Sequence, residues 1–144
     1  MKHTFLFQEA VWIAQGWYYN PEGEAVALEG KTVITHLKDL WLNEGRMKLL
    51  SPNPVDLVNQ YKIIPFQEGG FTTTWESYNP ALGILLGNFF IIGDSIISTC
   101  VSQKGTYTGT EFLIQLNDHS YLNRGVFLEE QKIVSSWSVE LKKS

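Results

Sequence analysis

The chain has 144 residues, a formal charge of −4, and 18% charged residues against 44% hydrophobic and 13% aromatic. That length makes one domain, residues 1–144, with a sizeable core and no room for a second. The acidic balance, with no Lys/Arg cluster beyond Lys142-Lys143, excludes nucleic acid and anionic membrane surfaces as partners.

The single cysteine, Cys100, excludes an internal disulfide and a multi-cysteine zinc site, and points to a reducing, cytoplasmic location. The apolar start Phe5-Leu6-Phe7 is cut short by Gln8 and Glu9, unlike a secretion signal. The longest apolar run, 81–92, is interrupted by Gly83, Gly87 and Asn88, and it falls short of the roughly 20 residues of a membrane span.

Residues 10–19, rich in Trp and Tyr and closed by Asn20-Pro21-Glu22-Gly23, predict a first strand. Turn signals at Glu29-Gly30 and Asn43-Glu44-Gly45 then divide 24–50 into short strands over 24–28, 31–42 and 46–50. Ser51-Pro52-Asn53-Pro54 reads as a loop leading into one helical turn at 55–58, and extended structure resumes over 59–66. Phe71, Thr73 and Trp75 alternate with Thr72, Thr74 and Glu76 in a strand over 71–78. Gly87-Asn88 and Gly93-Asp94 are placed to split 81–103 into three strands.

The clearest pattern is the end of the chain, where 106–116, 121–128 and 132–141 predict three strands joined by tight turns at Asn117-Asp118 and Glu129-Glu130-Gln131. No helical period, internal repeat or low-complexity tract interrupts the series. So many half-apolar strands exceed what one open twisted sheet tolerates, and closure also removes the edges. The expected fold is therefore all-β, a closed antiparallel up-and-down barrel of roughly 8–10 strands. A two-sheet sandwich is the second choice.

Gly16-Trp17-Tyr18-Tyr19 on the first strand, followed by an Asn-Pro-Glu-Gly turn, resembles the opening of calycin barrels: lipocalins, fatty-acid-binding proteins and avidins. The resemblance implies that Trp17 plugs one end of the barrel and that a small molecule binds inside.

Several residues are candidates for that binding. Arg124 shares a strand face with Leu122, Val126 and Leu128, the more apolar face, which predicts that it points inward. A guanidinium there needs a partner, and a ligand carboxylate would serve, as the resemblance to fatty-acid-binding barrels also implies. The alternative is an Arg at the barrel mouth with its head in water. Trp17, Trp75, Phe112 and Trp137 fall on expected inward faces, as plain core or as pocket wall. His3, His36 and His119 lack metal spacing and read as solvated, Cys100 reads as a small buried hydrophobe, and no cofactor, metal site or catalytic triad is visible. Leu85, Leu86, Phe89, Phe90, Ile91 and Ile92 are apolar on both strand faces. They need cover from a homodimer interface, from the N-terminal segment or from the Pro52 loop.

The function expected from these features is binding of a small, largely apolar ligand, with a carboxylate of it facing Arg124, by a protein that is not an enzyme. The alternatives are an enzyme on a calycin-like barrel, such as an isomerase, cyclase or chromophore lyase, and a filled barrel acting as an assembly module.

Overall fold

Alternation of period two in runs rich in β-branched and aromatic residues makes nearly every segment a strand. In the computed structural model, which describes residues 2–144, the strands are β1 (Ala10–Tyr19), β2 (Ala25–His36), β3 (Trp41–Leu50), β4 (Val55–Ile63), β5 (Thr72–Asn79), β6 (Gly83–Ile92), β7 (Ser95–Ser102), β8 (Tyr107–Asn117), β9 (Ser120–Glu129) and β10 (Lys132–Lys143). Each pairs antiparallel with its neighbours in sequence, and β1 pairs with β10, so the ten strands close into an up-and-down barrel. The expected closed barrel is what forms, and the sandwich is not.

Several expected boundaries move. The chain runs straight through Glu29-Gly30, Asn43-Glu44-Gly45 and Gly87-Asn88, which lie inside β2, β3 and β6. Those glycines answer crowding rather than turning: a Cβ on Gly30 would press on Met47 and the Arg46 carbonyl, and one on Gly45 would come within 2.6 Å of Asn59 Oδ1. The expected helical turn at 55–58 is the start of β4.

One end of the barrel is closed by the N-terminal segment. Phe5 and Leu6 are buried, and Leu6 adopts a positive φ of 73° that an L side chain takes only under constraint. Phe5 and Tyr121 both pack edge-on or tilted against Trp12, with ring centroids at 5.4 and 5.5 Å from it. The backbone N–H groups of Thr4 and Phe5 both donate to Tyr121 Oη, at 3.0 and 3.3 Å. His36 stacks on Trp41 and its Nε2 meets the Leu6 carbonyl at 2.7 Å, while His3 bridges Tyr121 Oη and the Gly93 carbonyl. Two of the histidines expected to be solvated thus pin this segment in place.

The wall is weakest between β4 and β5. Their pairing is confined to Tyr61 with Ser77, Lys62 with Glu76 and Ile63 with Trp75, so the first half of β4 runs free of β5.

Candidate functional site

The barrel encloses a cavity of about 270 Å³. Phe5, Leu113 and Leu141 form its floor against the closed end, and Leu28, Met47, Tyr18 and Val139 line the walls above. Leu57 faces the cavity and is also 39% exposed, so the space reaches solvent beside the unpaired half of β4.

Two tryptophans shape the interior by the same device. Trp137 on β10 lies across Gly125, its direct partner on β9, and its Nε1 donates at 2.9 Å to Oε2 of Glu111, the partner of Gly125 on β8. Trp75 on β5 lies across Gly87, its partner on β6, and its Nε1 donates at 3.1 Å to Ser98 Oγ on β7. In each case a glycine leaves the middle strand bare so that an indole can span it and hydrogen-bond to the strand beyond. Tyr61 meets Trp75 edge to face at 4.8 Å, and Phe89 lies at 6.0 Å from the same ring.

Among these apolar walls a few polar groups converge. The Thr32 hydroxyl donates to Asn43 Oδ1. Glu111 accepts hydrogen bonds from Trp137 and the Asn123 side chain, both of which favour its ionised form, yet burial outweighs them and pushes its carboxyl above the usual range. The Tyr61 phenol is pushed up by burial and then by the Glu111 charge. The Cys100 thiol is pushed up to about 11 by the same two causes, against a hydrogen bond from the Gly109 backbone. No lysine or arginine lines the cavity among the described residues.

Trp75 and Trp137 therefore stand on the cavity wall, as their alternation predicts. Trp17, Phe112 and Arg124 do not: Trp17 is 48% exposed, Phe112 is 41% exposed and Arg124 is exposed, all on the outer face. Arg124 donates to the carbonyl of its neighbour Asn123 and lies in a surface groove with Trp17, Glu29 and Glu140. For Phe112 and Arg124 the correction has one physical cause. On β8 and β9 the outward faces are at least as apolar as the inward ones, so apolarity chooses the wrong side; Leu113, Gln115, Tyr121 and Asn123 are the buried positions. The interior tryptophan of β1 at the closed end is Trp12, fully buried, rather than Trp17.

Glu111, Tyr61 and Asn123 went unnoticed in the sequence. Glu111 shares its face with Gly109, Leu113 and Gln115, a face that looked polar enough to be wet. The usable signal was the row Glu111, Gly125, Trp137 across three strands, which only a correct register aligns.

Neither a family model nor a curated protein matches the sequence. Among solved structures, the S-type phycobiliprotein lyase CPES from Guillardia theta superposes with a TM-score of 0.70 at 5% identity, over 97% of this chain and 90% of that one. The fold is a calycin-like barrel. Weaker likenesses are to a putative AttH from Nitrosomonas europaea (TM-score 0.35, 11% identity, 95% of this chain and 51% of that one) and to an N-terminal dehydratase from the difficidin assembly line (TM-score 0.28, 8% identity, 97% and 80%). No helix of this calycin-like barrel is long and apolar enough to cross a membrane, and no cluster of three metal-ligating side chains occurs among its described residues.

Proposed function

We propose that this barrel is a cytoplasmic binding protein for a small, largely apolar molecule held between Trp75 and Trp137. The observation that carries the reading is the interior space of about 270 Å³, walled by aromatic and aliphatic side chains with a few converging polar groups and an opening beside Leu57. Ligand sites have this character, and the volume suits a small occupant. Filled barrels spend their interior on their own side chains, and here Gly87 and Gly125 keep two indoles flat against the wall instead. Arg124 has no part in holding the ligand, because it lies outside. Native against denaturing mass spectrometry of protein purified gently from its own host tests this. The expected native mass exceeds that of the 16.4 kDa chain by a few hundred daltons or less. A bare native mass, with no quenching of tryptophan fluorescence by apolar probes, would refute the reading.

A second reading, an enzyme on the same barrel, is favoured by the convergence of Glu111 and Tyr61, both pushed up, on one cavity. Isomerase, cyclase or chromophore-lyase chemistry would use Glu111 to move a proton, and the likeness to a phycobiliprotein lyase supports the scaffold for it. Recovery of the bound molecule chemically unchanged after prolonged incubation would favour binding alone.

The proposal includes a homodimer through the outward side chains of β6, Leu86, Phe90 and Ile92. Leu85, Phe89 and Ile91 face inward and need no such cover.

A further inference from the structure

Glu111 is a carboxyl group inside a cavity with no basic residue on its wall. Its hydrogen bonds come from neutral donors, the Trp137 indole at 2.9 Å and the Asn123 amide. A carboxylate turned into an apolar cavity and held only by neutral donors lacks the opposite charge that would offset its desolvation. Six aromatic rings, those of Phe5, Tyr18, Tyr61, Trp75, Phe89 and Trp137, surround the same space, and ring faces attract cations and have no such affinity for anions.

We infer that the cavity selects a ligand carrying a protonated nitrogen on an apolar body, with Glu111 as its counter-ion. The inference rests on the binding-barrel reading and deepens it. It reverses the expectation of a ligand carboxylate, since an anion in this cavity would meet the Glu111 charge with no cation beside it. The aliphatic part of the ligand packs between Trp75 and Met47, and the charged end reaches the row formed by Trp137, Gly125 and Glu111.

The pH dependence has a definite sign. In the free protein burial raises the Glu111 carboxyl, so it keeps its proton to higher pH than an exposed glutamate does. A cationic ligand pulls that proton off, so its affinity rises with pH through the Glu111 titration, while an alkyl amine stays charged up to about pH 10. The other titratable groups facing this space are Tyr18 on β1 and Tyr61 on β4, with Cys100 on β7 coupled to Glu111. Burial keeps the Tyr61 phenol and the Cys100 thiol protonated through pH 5 to 9, so neither supplies the transition.

Three matched probes test this: n-octylamine, n-octanol and octanoate, titrated against the wild-type chain and Glu111→Gln by calorimetry and tryptophan quenching between pH 5 and 9. The wild type is expected to bind octylamine roughly tenfold or more tighter than octanol at pH 8, and octanoate weakest. Octylamine affinity should rise with pH, that of octanoate should fall, and that of octanol should stay flat. In Glu111→Gln the preference for the amine should collapse to within about threefold. Equal binding of amine and alcohol by the wild type, or a preference that survives in the variant, overturns the inference and leaves the binding barrel standing. Failure of all three probes refutes the binding-barrel reading itself, and this inference with it. The pH series on the wild type decides the matter even if the variant does not fold.

Discussion

A single half-buried carboxyl sets much of the chemistry, and its cost is measurable. Because the folded state raises the Glu111 carboxyl above its unfolded value, the folded chain binds that proton more tightly than the unfolded chain does. Stability therefore falls as pH rises from the ordinary carboxylate range through the folded value, and the loss persists above it. Glu111→Gln keeps an acceptor for Trp137 and removes the charge. Its melting temperature should exceed that of the wild type at pH 8, with the gap closing toward pH 4; differential scanning fluorimetry across pH reads this directly. Cys100 offers a second test at this scale. A thiol pushed up to about 11 by burial carries roughly a hundredfold less thiolate at pH 8 than an ordinary cysteine. Alkylation by iodoacetamide should be slower by about that factor in the folded protein than after guanidinium unfolding. Comparable rates in the two states would show that Cys100 is freely accessible.

At the scale of strands, the two indole-over-glycine crossings hold the cavity open. A Cβ on Gly125 would collide with the Trp137 ring, so Gly125→Ala must lift the indole into the cavity and away from Glu111. The expected loss is about 2 kcal/mol, from overpacking and from a lost charge-assisted hydrogen bond. Chemical denaturation checks the stability, and altered tryptophan emission reports the displaced ring. These glycines also mark where sequence reading stops. Gly87-Asn88 has the chemistry of a hairpin turn, and nothing local distinguishes a glycine that turns the chain from one that lies under an indole on the next strand. By contrast, the last three strands were legible because Asn117-Asp118 and Glu129-Glu130-Gln131 are true turns; Glu130 and Gln131 carry positive φ values of 47° and 74°. Inside β10 a bulge between Ile133 and Ser135 shifts the alternation, so Ile133 is 44% exposed although Ser135, Trp137, Val139 and Leu141 face the cavity.

At the scale of the molecule, closure decided the topology, but it did not decide which side of the wall is wet. The outward positions of β6 to β9 form apolar rows in register: Phe90, Ile97 and Phe112 lie side by side, ending at Arg124. Ile92, Ile114 and Leu122 stand one pleat toward the closed end, and Leu86 and Val101 lie toward the open one. Arg124 is the one charged residue among the outward positions of these four strands. This is why the alternation pointed Arg124 and Phe112 inward, and it is also the surface that a second copy would cover. Exposed apolar rows bordered by an arginine suit a two-fold interface, where each patch meets itself. Light scattering after size exclusion should therefore give twice the 16.4 kDa chain mass at micromolar concentration. Phe112→Lys should return it to one chain while leaving the melting temperature within a few degrees, because Phe112 is 41% exposed in the isolated barrel. A wild-type chain that runs as a monomer throughout would remove the dimer and leave these rows as ordinary exposed surface. A variant that stays dimeric would move the interface to another part of the wall.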